Sequence, residues 1–177
     1  MVDGERTIIE NAVKGEASAF GQLYDHYQPK IYRFVLFKVS QREEAEDLTH
    51  EVFMSAWQRI RTYRDFGFPF SSWLYQIARN RIIDHYRTKK ASTPIDAVDP
   101  EYFVAPASAP RAVEEKIEVE RVRRALGKLK PEHQDVVIMR FIEELSIKET
   151  AAALGKTEGA IKLLQHRAMK ALQELVD

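Results

Sequence analysis

The chain has 177 residues, with 27 basic and 27 acidic side chains and no cysteine; 45% of it is apolar and 31% charged. That balance describes a globular chain of one or two domains. It excludes a disulfide framework, a thiolate metal site and a cysteine nucleophile, and fits a reducing compartment. No stretch reaches the ~18–20 consecutive apolar residues of a membrane helix. The start, Met1-Val2-Asp3-Gly4-Glu5-Arg6, lacks the basic-then-apolar order of a signal peptide. A cytoplasmic protein without membrane insertion is expected.

Net zero charge leaves no global footprint of nucleic-acid binding, but the charge is segregated. Residues 42–51 carry Glu43, Glu44, Glu46, Asp47 and Glu51 against Arg42. Residues 79–90 carry Arg79, Arg81, Arg87, Lys89 and Lys90 against Asp84, and residues 156–170 carry Lys156, Lys162, Arg167 and Lys170 against Glu158. A neutral chain divided in this way points to more than one partner.

Helical periodicity dominates and no strand alternation is evident, so the expected class is all-α. A short helix is predicted at 5–14 and a longer one at 16–38, with Pro29 as a kink or break. Ser40-Gln41-Arg42-Glu43 reads as a capping box that opens the next helix. That helix has an apolar stripe of Ala45, Leu48, Val52, Ala56 and Ile60 and an acidic one of Glu43, Asp47 and Glu51. Residues 62–70, with Gly67 and Pro69, read as a loop. Ser71 or Ser72 is expected to cap the following helix. That helix buries Leu74, Ile77, Ala78 and Ile82 and leaves Trp73, Gln76, Asn80, Asp84 and Arg87 on its other side.

Tyr63, Phe66, Phe68, Phe70, Trp73 and Tyr75 crowd around this loop. Phe70 and part of Trp73 are expected in the core. Phe66 and Phe68 flank Gly67 at the tip, beside Arg64 and a basic helix. Aromatic faces stack bases and neighbouring cations hold phosphates, the combination that single-stranded nucleic acid requires.

Residues 91–112 contain Pro94, Pro100, Pro106 and Pro110 and little periodicity. They are expected to link two helical domains, 1–90 and 113–177. Val119, Val122, Leu126 and Leu129 then continue a helix, and Pro131 suits the first turn of the next, which carries Val137, Ile138, Phe141 and Ile142. Ser146-Ile147-Lys148-Glu149 is a second capping box. A short helix to Leu154 follows, then Gly155, then a helix capped by Thr157 and running towards Val176. Ala151, Gly155, Ile161 and Leu164 have the spacing of a helix-turn-helix. The last helix buries Ile161, Leu164, Ala168 and Leu172 and shows Glu158, Lys162, Leu163, His166, Arg167 and Lys170. Such a helix fits a major groove. Helix pairs with glycine turns also build plain bundles, and spacing alone leaves both readings open.

Two sets of motifs carry a resemblance. Ala45-Glu46-Asp47-Leu48-Thr49-His50-Glu51-Val52-Phe53, with Trp57 and Phe70-Ser71-Ser72-Trp73-Leu74-Tyr75-Gln76-Ile77-Ala78-Arg79-Asn80, resembles region 2 of bacterial sigma factors. Leu126-Gly127-Lys128-Leu129-Lys130-Pro131-Glu132-His133-Gln134, with Arg140-Phe141 and Gly159-Ala160-Ile161-Lys162-Leu163-Leu164-Gln165-His166-Arg167-Ala168, resembles region 4. Two such domains on a short linker are similar to the extracytoplasmic-function (ECF) group.

The resemblance implies roles. Asp47, Leu48, Glu51 and Phe53 would dock on the clamp helices of core RNA polymerase. The loop, with Arg64, Asp65, Phe66, Gly67 and Phe68, would capture a base extruded from the −10 element. Gln76, Arg79, Asn80 and Arg87 would hold that strand and the upstream duplex, and Trp73 would brace the junction. Thr157, Glu158, Lys162, Leu163, His166, Arg167 and Lys170 would meet the −35 element, while the same domain grips the polymerase flap. An anti-sigma partner covering both domains is implied, and no cofactor or metal. The linker would let the domains fold together around an inhibitor or spread along a promoter. The last helix departs from the family pattern, which has a polar residue at Leu163 and arginine at Leu164 and Met169. That bears on which −35 sequence is read, and it leaves Gln165 available to polar partners.

Two other classes compete. A stand-alone helix-turn-helix regulator would bind duplex tightly without polymerase, at a two-fold symmetric site. An enzyme would need a phosphate loop or clustered ligands. His26, His50, His85, His133 and His166 are scattered, and His50-Glu51 has no second histidine at zinc-protease spacing. The aromatic loop and the acidic stripe favour the sigma reading.

Overall fold

The computed structural model describes residues 4–89 and 121–176, all of whose elements are helical. The expected linker at 91–112 and Val119 lie outside them. The elements are α1 (Glu5–Val13), α2 (Ala17–Val39), α3 (Arg42–Arg59), a 3₁₀ turn (Ile60–Thr62) and α4 (Phe70–Lys89). After them come α5 (121–128), then α6 (Pro131–Val137) running into a π-turn (Ile138–Ile142), α7 (Ile147–Leu154) and α8 (Glu158–Val176).

Helix α2 runs unbroken through Pro29. An interior proline costs about 3 kcal/mol. Leu23, Ile31, Phe34 and Val35 are wholly buried along the same helix, and at about 1.5–3 kcal/mol for each such side chain their burial outweighs that cost. The capping box expected at Ser40 does not form. Ser40 takes the left-handed conformation, φ 63°, and ends α2 with its N–H on the Leu36 carbonyl. An N-cap needs extended backbone to aim its side chain at the helix. That position falls to Gln41, and its side chain makes no cap hydrogen bond. Glu43 and Glu44 in the first turn of α3 instead complement the positive end of the helix dipole. Helix α4 begins at Phe70, so neither Ser71 nor Ser72 precedes it as a cap. Ser72 spends its hydroxyl on the Glu149 carbonyl of α7, at 3.1 Å.

The two apolar stripes fold as their spacing predicts. Ala45, Leu48, Val52, Ala56 and Ile60 on α3, and Leu74, Ile77, Ala78 and Ile82 on α4, are all buried. The helix-turn-helix also forms. The Ser146–Glu149 capping box closes in both directions, Gly155 makes the left-handed turn at φ 62°, and Thr157 Oγ1 accepts the Ala160 N–H. Ile161 and Ala168 are wholly buried, with Leu164 and Leu172 half-buried.

Helix α7 lies against α4. One apolar cluster runs from α1–α4 into Ile138, Met139, Leu145, Ala151, Leu154 and Ile161. A smaller one gathers Leu126, Leu129, Val137 and Ala168. The N-terminal helices and the helix-turn-helix unit therefore share a core. Polar ties cross the same boundary. Arg33 donates Nε and Nη2 to the two carboxylate oxygens of Glu143, at 2.6 and 2.9 Å. The Tyr75 hydroxyl donates to Glu143 at 3.1 Å. Asp135 Oδ1 sits 2.8 Å from Lys38 Nζ, and its Oδ2 accepts from Arg79 Nε at 2.9 Å.

Candidate nucleic-acid interface

Three surfaces carry the residues singled out from the sequence. On α3, Asp47 and Glu51 are exposed. Leu48 and Phe53, expected beside them at the same contact, are 5% and 4% exposed. Both sit on the inward side of the helix, and Phe53 packs edge-on against Tyr24 with centroids 4.8 Å apart. They shape the surface from beneath. The apolar part of this face comes from residues the sequence reading passed over. Tyr24 and Met54 are exposed and join Phe20, His50 and Trp57 around a groove of about 280 Å³ between α2 and α3. The signal was present: Ala17, Gly21 and Tyr24 on one helix, and His50, Phe53, Met54 and Trp57 on the other, recur at spacings of three and four.

The second surface is the loop before α4. Asp65 Oδ1 accepts the Gly67 N–H at 2.8 Å, and Gly67 has φ 79°. This is an Asx-type turn whose positive φ suits glycine. Arg64 Nη1 donates to the Tyr63 carbonyl at 3.1 Å and steadies the segment leading in. The turn holds Phe66 out at 80% exposure and Phe68 at 41%. Lys148 of α7 stands over the Phe68 ring, 5.7 Å from its centroid. The ring beneath is different. Phe70 is buried, and Tyr63, Phe70 and half-buried Trp73 pack mutually at 5.1–5.3 Å. Tyr75 belongs to the core. Burial pushes the Tyr63 hydroxyl up to about 12, with Asp65 adding to the shift.

Along α4, Gln76, Asn80 and Arg87 are exposed, with Arg87 3.6 Å from Asp84. Arg79, expected with them, is partly covered and ion-paired to Asp135. Lys38 joins the same carboxylate from α2. Burial pushes the Lys38 ammonium below its usual range, Asp135 opposes that shift and Arg79 adds to it. No sequence pattern pointed to Lys38, because its partners lie 93 and 97 positions away.

The third surface is α8. Thr157, Glu158, Lys162, Leu163, His166, Arg167 and Lys170 are all exposed, Leu163 at 50%. Thr157 also serves as the cap. Gln165, expected to be available to outside partners, instead accepts Arg140 Nε at 2.9 Å. Arg140 donates in addition to the Leu145 carbonyl. A guanidinium under the half-buried Gln165 thus fixes α8 to the turn before α7.

Residues 23–92 match the Sigma-70 region 2 family model and residues 125–174 the Sigma-70 region 4 model. The chain is 38% identical over 175 residues to the ECF RNA polymerase sigma factor BldN of Streptomyces coelicolor, a match that takes in 96% of the chain and 64% of that relative's length. It is 30% identical over 181 residues to the ECF RNA polymerase sigma factor SigD of Mycobacterium tuberculosis, covering 98% of the chain and 85% of SigD. Among solved structures it is similar to CnrH in complex with the cytosolic domain of CnrY, with a TM-score of 0.74 and 25% identity over 98% of this chain and 97% of that one. It also shares the fold of the sigma factor RpoE in complex with the anti-sigma factor NepR from Bartonella quintana, with a TM-score of 0.71 and 23% identity over 89% and 96% of the two chains.

Proposed function

Because the chain belongs to the ECF RNA polymerase sigma factor family, we propose that it is a promoter-specificity subunit that acts by binding and strand capture in the cytoplasm. Its N-terminal domain, 1–90, docks on core polymerase and takes the −10 element. Its C-terminal domain, 113–177, reads the −35 element, and 91–112 links them. The observation that carries this reading is the pairing on one chain of Phe66, held outward by the Asp65–Gly67 turn, with a separate helix-turn-helix whose last helix shows an exposed, largely basic face.

Asp47 and Glu51 meet the clamp helices, and the apolar groove beside them adds contact area. Leu48 and Phe53 keep that face in shape. Extruding a base from the duplex costs a few kcal/mol. Stacking on an aromatic ring returns about 1–3 kcal/mol for each base, so Phe66 and Phe68 nearly offset the cost. Hydrogen bonds from Gln76 and Asn80, with Arg64 and Arg87 near the backbone, make up the rest. Trp73 braces the junction from its packed position. Helix α8 enters the major groove with Lys162, His166, Arg167 and Lys170 forward, while its domain grips the flap.

Elements centred near −10 and −35 lie about 85 Å apart along B-DNA at 3.4 Å for each step. A compact chain of this size is about 40 Å across. The packed arrangement therefore cannot serve both elements, and the domains separate on polymerase. An anti-sigma partner that favours the packed form would keep the chain off polymerase. RpoE, held by NepR, offers the analogy.

Genomic run-off transcription with purified cognate core polymerase, with and without the chain, tests the reading. New start sites sharing two spaced upstream elements are expected. No new transcripts, together with tight binding of the chain alone to a symmetric duplex site, would establish the stand-alone regulator instead.

A further inference from the structure

Both side-chain partners of Lys38 sit on the other domain. They are Asp135 and the Pro131 carbonyl, at 2.8 and 3.1 Å. The Lys38 side chain is 5% exposed and that of Asp135 3%. Arg79 reaches the second oxygen of the same carboxylate from α4. One carboxylate thus bridges two cations, and the cluster keeps an excess positive charge where water is scarce. Such clusters rarely repay their desolvation, and apolar side chains of similar volume pack as well or better. Packing does not account for the charges.

Position does. Arg79 follows Gln76 and precedes Asn80 on the helix proposed to hold the displaced strand. The two oxygens of Asp135, each engaged by one cation, stand as the two non-bridging oxygens of a phosphodiester would. Separation of the domains removes Asp135 and Pro131 together and leaves Lys38 and Arg79 with an unmatched charge beside the strand-binding face. We propose that Lys38 and Arg79 form a binding site for a nucleic-acid backbone phosphate, and that Asp135 occupies this site and holds the two domains together until the strand replaces it. The inference rests on the strand-binding role assigned to α4 above, and it adds Lys38 to the residues that contact DNA.

The test uses the full chain without polymerase. The chain has no native cysteine, so Glu10→Cys and Glu174→Cys, both at exposed positions, allow two dyes to report the distance between domains. A short fluorescein-labelled oligothymidylate reports backbone binding. Asp135→Asn leaves two neighbouring cations facing each other without a counter-charge. It is expected to lower energy transfer and to tighten oligothymidylate binding about tenfold at low salt, as the competent fraction rises. The salt dependence is expected to steepen by about 0.7, the value for one phosphate newly neutralised on a single strand. Glu132→Gln makes the same charge change at an exposed acid of α6 and is expected to do neither. Adding Lys38→Gln and Arg79→Gln to Asp135→Asn removes both cations and should abolish the gain in strand binding.

The proposal fails if Asp135→Asn leaves the domains together, if the chain opens without binding more tightly, or if the triple variant retains the gain. Should Asp135→Asn fail to fold, Glu143→Gln loosens the boundary through Arg33 and Tyr75. The same gain, abolished on adding Lys38→Gln and Arg79→Gln, is then expected, and its absence overturns the proposal. Run-off transcription by the unmodified chain reports separately on the earlier reading. Transcription without any strand gain removes this inference alone. A strand gain without transcription keeps the phosphate site and removes the sigma role.

Discussion

Asp65 Oδ1 accepts the backbone N–H of Gly67 at 2.8 Å, and this turn carries Phe66 into solvent at 80% exposure. The tip has little beneath it, since a β-carbon built on Gly67 meets nothing within 4 Å. The conformation is therefore set by the Asx bond and the positive φ of glycine, not by packing. Phe66→Ala should spare both folding and polymerase binding. It should weaken promoter opening by about five- to 150-fold, the equivalent of about 1–3 kcal/mol of stacking. Permanganate footprinting of the opened strand, beside a polymerase pull-down, measures the two effects. Equal loss of both would mean that Phe66 is structural.

On α3 the same helix separates contact from support. Asp47→Lys combined with Glu51→Lys changes two exposed side chains. It should leave thermal unfolding within a degree or two and reduce affinity for core polymerase by an order of magnitude or more. Phe53→Ala empties a buried site and should cost about 3–5 kcal/mol of stability. If the charge-reversed chain still competes fully for polymerase, the acidic stripe is only a solvated face.

Lys162 and Arg167 are exposed on α8. Replacing both by alanine should weaken −35 duplex binding across sequences and flatten its salt dependence by about 1.8, roughly 0.9 for each duplex phosphate that is no longer neutralised. Unchanged transcription from a −35-dependent promoter would remove them from the interface.

Alkaline stability should follow the buried tyrosines. Burial raises Tyr63 to about 12 and pushes Tyr27 and Tyr75 higher still, with Glu5 and Glu143 respectively adding to the shift. Each group binds its proton more tightly when folded than when unfolded. The stabilisation is complete below the unfolded value near 10 and is lost as pH rises through the folded one. The midpoint of urea unfolding should hold steady to about pH 9.5 and then fall. Tyr63→Phe keeps the ring against Phe70 and Trp73 and should blunt that fall between about pH 10 and 12 while changing neutral stability little. An identical alkaline profile in the variant would show that Tyr63 titrates freely.

Local chemistry explains what was legible in advance. The stripes on α3 and α4, the second capping box, the Gly155 turn and the Thr157 cap each depend on residues within a few positions of one another, so spacing reveals them. The Ser40 capping box failed because the same residue was needed to end α2 in the left-handed conformation, and two neighbouring helices competed for it. The polar partner of Gln165 was not legible, because Arg140 lies on another element.

The amino-acid sequence by itself determined that the chain is all-α, where its helices and loops fall, which aromatic rings stand out beside Gly67, and which family it joins. These follow from periodicity, turn chemistry and ordered motifs, all of them short-range. Only the tertiary structure decided that the helix-turn-helix unit packs on α4, that Leu48 and Phe53 lie under the acidic edge, and that Arg79 shares Asp135 with Lys38. Each of these depends on groups brought together from distant parts of the chain. No local pattern encodes which buried charge will meet which counter-charge once the cores merge.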